Sequence, residues 1–98
     1  MVLKNHFKKI KSACIKYGIR VLYIIGSRAR GDFNQNSDTD FLVSFKNLEE
    51  PGIADRYFEF KEFLESELNT KVDLIEESAV KNPIFKKTID REKVLIYG

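Results

Sequence analysis

Apolar residues recur along the chain with two different spacings, and these spacings predict an alternation of helices and strands. Near the start, apolar positions three or four residues apart indicate an amphipathic helix that ends at Gly18. These positions are Leu3, Phe7, Ile10, Cys14 and Tyr17. A second stripe with helical spacing follows Pro51 and Gly52, which interrupt the chain. Its members are Ile53, Tyr57, Phe60, Leu64 and Leu68.

Four shorter runs, rich in β-branched and aliphatic residues, predict strands. They are IRVLYII ending at Ile25, TDFLVSF from about Thr39 to Phe45, KVDLIEE, and KVLIYG. Asn82 followed by Pro83 predicts the first turn of another short helix. Because helices and strands alternate, we expect an α+β fold, with a small mixed β-sheet of about four strands and helices packed on it.

Length and composition narrow the class of protein. A chain of 98 residues is expected to form one domain, residues 1–98. The formal net charge of +2 and the lack of a stripe of basic and aromatic residues argue against a nucleic-acid-binding module. A single cysteine excludes an internal disulfide and fits a cytoplasmic protein. We expect no membrane association, since no apolar run approaches the roughly 18 residues that span a bilayer.

The segment IIGSRARGDFNQNSDTDFLV, residues 24–43, combines glycines, arginines and aspartates between two predicted strands. Gly26 and Gly31 have the spacing of a P-loop, but Asp32 follows where that motif requires lysine. An EF-hand loop starting at Asp32 would require glycine at its sixth position, where Ser37 stands. We therefore exclude both a P-loop and an EF-hand calcium site.

The first half of this segment has the features of an anion-binding turn. Gly26 and Ser27 leave a strand, and backbone N–H groups in such a turn favour an anion. The Ser27 hydroxyl adds a donor, while Arg28 and Arg30 carry charges that can pair with phosphate oxygens. We expect Ser37 to support the loop backbone through a side-chain hydrogen bond.

The second half of the segment has the features of a cation site. Asp38 and Asp40 lie two residues apart at the start of a predicted strand, so both point to one face, with Cα atoms roughly 6.5 Å apart. Carboxylates placed in this way suit Mg²⁺, which is commonly held by one or two carboxylates together with substrate phosphates. Asp73 interrupts the strand KVDLI, and the three carboxylates converge if that strand pairs beside the one carrying Asp40. An anion turn next to a carboxylate cluster suggests a metal-bound polyphosphate.

The motifs GSRARG, SDTDFLV and VDL, in this order, resemble the minimal nucleotidyltransferase branch of the DNA polymerase beta-type nucleotidyltransferase superfamily. The resemblance extends over nearly the whole chain. It implies the polymerase beta-like fold. It also implies transfer of a nucleoside monophosphate, which we expect to be AMP, from a nucleoside triphosphate to an acceptor hydroxyl. It also implies two Mg²⁺ ions held by Asp38, Asp40 and Asp73. The triphosphate would be bound by Gly26, Ser27, Arg28, Arg30 and Ser37.

The resemblance further implies a partner. Members of this branch occur beside small all-helical HEPN-type proteins, and some act as antitoxins that adenylylate a tyrosine of that partner. The alternative is a non-catalytic subunit that sequesters a helical partner and keeps the triphosphate site only as a scaffold. The short chain also favours self-association, for which Phe58 and Phe63 would supply an exposed patch unless they widen the core face of their helix.

Individual residues also have simpler interpretations. Ser27, Arg28 and Arg30 fit an ordinary turn, and Asp38 fits the end of a loop. Asp73 on an edge strand also fits a residue that faces water or pairs with a lysine. Cys14 belongs to the apolar stripe and is expected in the core, and His6 is expected on the surface.

Overall fold

The structure is a computed structural model in which residues 6–26 and 39–98 are described. Leu3, the first position of the predicted helical stripe, lies outside these residues. The helices are α1 (Phe7–Lys16), α2 (Ile53–Leu68) and α3 (Pro83–Glu92), and a 3-10 turn covers Glu77–Ala79. The strands are β1 (Ile19–Ile25), β2 (Thr39–Phe45), β3 (Val72–Glu76) and β4 (Val94–Tyr97). Each predicted helix and strand is confirmed, whereas the 3-10 turn was not predicted.

The four strands form one mixed sheet in the order β3-β2-β1-β4. β1 runs antiparallel to both β2 and β4, whereas β2 and β3 are parallel. A parallel pair cannot be closed by a tight turn, so the chain crosses over the sheet through α2 before β3 begins. The fold therefore agrees with the predicted mixed sheet.

The main core lies on the sheet face that packs against α1 and α2. Its largest fully buried side chains include Phe41, Phe45, Phe60, Ile10 and Leu64. Cys14 is buried in the same cluster, as expected. Phe63 is half-buried against this core and so widens it, whereas Phe58 is 59% exposed. None of the described helices is long and apolar enough to cross a membrane.

The opposite sheet face carries a thinner apolar layer beneath α3. Ile25, Leu42 and Ile89 are buried there, and Ile89 is the buried residue that α3 contributes. The helix starts as predicted, because the Asn82 side chain accepts hydrogen bonds from the N–H groups of Ile84 and Phe85. This face also carries the candidate site described below.

His6 is not the simple surface residue that the sequence suggested. The residue is half-buried, and its Nδ1 atom lies next to a carboxylate oxygen of Glu67 near the C-terminus of α2. The two residues are 61 positions apart, so the contact has no local sequence pattern.

A single arginine joins three chain segments at the end of the sheet away from the candidate site. The Arg56 guanidinium donates hydrogen bonds to the carbonyl oxygens of Tyr17 (3.1 Å), Lys46 (2.9 Å) and Asn47 (3.0 Å). It also lies 5.7 Å from the centre of the Phe45 ring. Arg56 thus satisfies carbonyl groups at the end of α1 and in the turn after β2. Without this side chain, these carbonyl groups would lose a charged hydrogen-bond donor.

We expect Arg56→Ala to lower the free energy of unfolding by about 1–2 kcal/mol, because several charged hydrogen bonds are lost at once. Urea denaturation measures the change. Arg91→Ala is the control, since Arg91 is exposed on α3, and its effect should stay within about 0.5 kcal/mol. Equal effects of the two substitutions would contradict the role assigned to Arg56.

Candidate active site

Two carboxylates lie opposite each other on neighbouring strands. In the parallel pair of β2 and β3, Asp40 is the register partner of Asp73. Register partners point to the same face, and neighbouring strands lie about 4.8 Å apart. Thr39 and Phe41, on either side of Asp40, are fully buried on the other face. The expectation that β3 pairs beside β2 is confirmed, and Asp73 lies on the same side of the sheet as Asp40.

Gly26 follows the last residue of β1 and touches the same site. Ile25 pairs with Asp40 across the antiparallel strands, so the chain leaves β1 next to this carboxylate. Gly26 has a φ of +77°, and a Cβ atom there would lie 2.8 Å from Oδ2 of Asp40. The left-handed backbone favours glycine at this position, and a side chain here would displace the Asp40 carboxylate.

The two carboxylates differ in their environment. Asp40 is half-buried, whereas Asp73 is exposed at the edge of the sheet. The negative charge of Asp73 reaches the core side of the sheet: burial, and then this charge, raise the pKa of Tyr57. The Tyr57 hydroxyl donates a hydrogen bond to the carbonyl oxygen of Leu74, the next residue in β3. Paired oxygen ligands with one open side suit a hard divalent cation such as Mg²⁺.

The remaining predicted site residues lie outside the described part of the chain. They are Ser27, Arg28, Arg30, Ser37 and Asp38. Within residues 6–26 and 39–98, no group of three or more histidine, cysteine, aspartate or glutamate residues is placed to hold a metal. The structure therefore brings together Gly26, Asp40 and Asp73, and the third carboxylate ligand, Asp38, stays a prediction.

Two glutamates that the sequence analysis did not single out hold the strands of the site in place. Glu65 on α2 accepts a hydrogen bond from the N–H group of Val72 (3.0 Å), the residue before Asp73. Glu76 at the end of β3 accepts from the N–H groups of Phe45 (3.1 Å) and Ser78 (3.0 Å). Val72 is 7 positions from Glu65, and Phe45 is 31 positions from Glu76, so no local motif identifies these hydrogen bonds.

The thiol of Cys14 takes no part in the chemistry of this site. Burial raises its pKa from 9.0 to about 12, so the side chain stays a neutral thiol at physiological pH. It belongs to the core on the opposite sheet face. This placement agrees with the expectation that Cys14 is a core residue.

Comparison with known proteins identifies the family. The polymerase beta nucleotidyltransferase family matches residues 8–98. The chain belongs to this family. The nucleotidyltransferase activity expected from the sequence is therefore confirmed, and the carboxylate pair lies in the sheet of a nucleotidyltransferase.

Two relatives match this chain over 95 residues, or 97% of its length. One is a Methanocaldococcus jannaschii protein named as a candidate protein adenylyltransferase, with 35% identity and 91% of its own length covered. The other is the protein adenylyltransferase MntA of Thermococcus cleftensis, with 34% identity and 89% of its length covered.

Solved structures share the fold of the nucleotidyltransferase. A candidate minimal nucleotidyltransferase superposes with a TM-score of 0.79 and 27% identity, over 94% of this chain and 90% of that one. A chain from the structure of a tri-AMPylated Shewanella oneidensis HEPN toxin in complex with MNT antitoxin superposes with a TM-score of 0.68 and 16% identity, over 99% of this chain and 73% of that one. The predicted α+β fold and the minimal nucleotidyltransferase branch are confirmed.

We expect Gly26→Ala to reduce nucleotidyl transfer at least tenfold, because the new Cβ atom displaces the Asp40 carboxylate. Transfer of label from an α-³²P-labelled nucleoside triphosphate measures the effect. Gly52→Ala is the matched control: Gly52 has a φ of +90°, yet a Cβ atom there has no neighbour within 4 Å. Both variants should lose stability by about 1–2 kcal/mol from backbone strain, but Gly52→Ala should keep its activity. Wild-type transfer by Gly26→Ala would show that the contact with Asp40 is unimportant.

Proposed function

We propose that this nucleotidyltransferase is a Mg²⁺-dependent protein adenylyltransferase that moves AMP from ATP to a tyrosine hydroxyl of a small helical HEPN-type protein, and so acts as an antitoxin. The pairing of Asp40 with Asp73 beside Gly26 carries the proposal. Two carboxylate ligands therefore lie next to the end of β1, where the predicted triphosphate turn begins.

The relatives support the choice of nucleotide and acceptor. The Thermococcus cleftensis relative, at 34% identity, is named as a protein adenylyltransferase. The Shewanella oneidensis complex that shares the fold pairs an MNT antitoxin with an AMPylated HEPN toxin. Both names describe those proteins, and we extend them to this chain because it belongs to the polymerase beta nucleotidyltransferase family and pairs Asp40 with Asp73.

The donor set fits the proposed metal. We assign Asp40 and Asp73, together with Asp38, as ligands of two Mg²⁺ ions, and their carboxylates are the hard oxygen donors that Mg²⁺ prefers. Bound Mg²⁺ would neutralise phosphate charge and stabilise the attacking and leaving oxygens. Gly26 leaves room for this arrangement because it has no side chain. We assign Ser27, Arg28, Arg30 and Ser37 to the triphosphate, for which their hydroxyl and guanidinium donors are suited.

The proposed reaction is an in-line displacement at the α-phosphorus of ATP. The tyrosine oxygen forms a bond to this phosphorus, the bond to the pyrophosphate oxygen breaks, and pyrophosphate leaves. The tyrosine proton passes to the carboxylate of Asp73 and then to solvent. Asp73 suits this role better than Asp40, since it is exposed and an acceptor can approach it, whereas Asp40 is half-buried.

We expect Asp40→Asn and Asp73→Asn each to reduce label transfer by at least about 100-fold, because each removes a charged oxygen ligand from the site. The purified protein is incubated with α-³²P-ATP, Mg²⁺ and the helical protein encoded by the adjacent gene, and label on that protein is quantified. Asp55→Asn is the control, since Asp55 is an exposed acid in the first turn of α2, and its transfer should stay within about twofold of wild type.

Three outcomes would contradict the proposal. Full activity of either site variant would remove that carboxylate from the mechanism. If the wild type binds the helical protein tightly but transfers no label to it or to any other acceptor, the chain is the non-catalytic binding subunit. Chelation with EDTA tests the metal in the same assay, and activity that survives EDTA would exclude Mg²⁺ dependence.

A further inference from the structure

A groove of about 510 Å³ runs along the outer surface between α1 and α2. Its α1 side is lined by Lys8, Lys9, Ser12, Ala13 and Lys16, followed by Tyr17 at the end of this helix, and its α2 side by Phe63. We call it the helix groove. It lies on the α1–α2 layer, and none of its residues belongs to the candidate active site.

The floor of the helix groove is apolar because the half-buried rings of Tyr17 and Phe63 line it. The two helices run antiparallel: His6 meets Glu67 at one end, and the rings of Tyr17 and Phe60 lie 6.0 Å apart at the other. Between these contacts the half-buried ring of Phe63 lines the groove, whereas Ala13, which also lines it, is itself buried in the core. A side chain of moderate size can therefore be buried there against carbon atoms.

The rim of the helix groove is positively charged. The Nζ atom of Lys9 lies 3.9 Å from Glu67, whose carboxylate also contacts His6. Lys8 and Lys16 are exposed and form no salt bridge with a residue in the described part of the chain. The Nζ atom of Lys16 lies 5.3 Å from the centre of the Tyr17 ring, at the far end of the groove.

One end of the helix groove, at the start of α1, lies at the end of the sheet that carries the carboxylates. α2 ends at Leu68, and β3 begins at Val72, one residue before Asp73. Glu65 is hydrogen-bonded to the N–H group of Val72, which fixes the end of α2 beside the start of β3. The contact between His6 and Glu67 places the start of α1, and with it Lys8, at this same end. Asp73 lies on the opposite face of the sheet, at its β3 edge, so a protein bound in the groove would have to extend around that edge to reach it.

We infer that the helix groove docks an acidic amphipathic helix of the acceptor protein, whose apolar side chains pack on Tyr17 and Phe63 while its carboxylates pair with Lys8 and Lys16. The inference rests on the proposed function, because it names how the protein acceptor of that reaction is held. A helix fits the groove since both walls are helices and anchors three or four residues apart would follow it. A nucleic-acid strand fits less well, because the lysines line one wall only and the floor is a hydrocarbon surface.

Two variants test the inference without touching the active site. Lys8→Glu reverses one rim charge, and a glutamate in the first turn of a helix does not weaken the helix. Ser12→Trp fills the groove from an exposed position. Lys11→Glu is the matched control, because Lys11 is an exposed α1 lysine that does not line the groove. All three proteins should bind ATP and Mg²⁺ with wild-type affinity.

We expect Lys8→Glu and Ser12→Trp to raise the KM for the helical protein encoded by the adjacent gene at least tenfold, with kcat within about twofold of wild type. Lys11→Glu should leave both constants within about twofold. Direct titration of the two proteins without nucleotide, at 50 and 300 mM NaCl as chosen conditions, should show the same ranking and a loss of wild-type affinity at the higher salt. Charge pairing at the rim predicts this salt dependence.

Several results would overturn the inference. Equal KM values and equal binding for Lys8→Glu, Ser12→Trp and wild type would show that the acceptor docks elsewhere. If sedimentation shows that the variants instead dissociate a homodimer, or if they only weaken binding of an RNA oligonucleotide, the groove holds a second copy or a nucleic acid. The binding titration separates the two levels of the argument: groove-dependent binding without label transfer refutes the proposed activity, and transfer that is insensitive to both variants refutes the groove alone.

Discussion

The arrangement of the site depends on the parallel pairing of β2 with β3. This pairing sets the register that places Asp40 opposite Asp73, and a shift by one residue would turn one of the two carboxylates to the other face. The core fixes the register, since Phe41 and Leu74 must both enter it. The hydrophobic core and the position of the carboxylates are therefore consequences of one constraint.

The crossover through α2 makes the parallel pairing possible and also ties the site to the rest of the molecule. Glu65 holds the start of β3, and Arg56 joins the other end of α2 to the turn after β2. The charged groups of this protein thus have two different roles. Some take part in the proposed chemistry, and others satisfy backbone groups at the ends of strands. Two like charges on adjacent strands repel each other, and a bound cation would offset that repulsion.

The sequence predicted the elements well where the information is local. The spacing of Ile53, Tyr57 and Phe60 identified α2, and the pair Asn82 and Pro83 identified the start of α3. Each of these signals acts within one or two turns of the chain, through side-chain periodicity or through a cap that satisfies nearby N–H groups.

Long-range features were harder to predict. The position of β4 beside β1, the contact of His6 with Glu67, and the hydrogen bond from Phe45 to Glu76 join residues far apart in sequence. The proximity of Asp40 and Asp73 could be anticipated. Each aspartate interrupts an apolar strand, and a shared ligand is the simplest explanation for both. The contact that a side chain at position 26 would make with Asp40 could not be predicted from the sequence, since it depends on the position of Oδ2 in Asp40.

Metal binding tests the central claim most directly, because it requires neither the acceptor nor turnover. Mn²⁺ can replace Mg²⁺ at oxygen sites, and its electron paramagnetic resonance signal reports bound ions in the presence of a non-hydrolysable ATP analogue. If Asp40 and Asp73 share a cation, Asp40→Asn, Asp73→Asn and the double variant should each weaken binding at least tenfold, and the double variant should lose less than the sum of the two single losses in binding free energy. Wild-type affinity in Asp73→Asn, or strictly additive losses, would contradict a shared metal site.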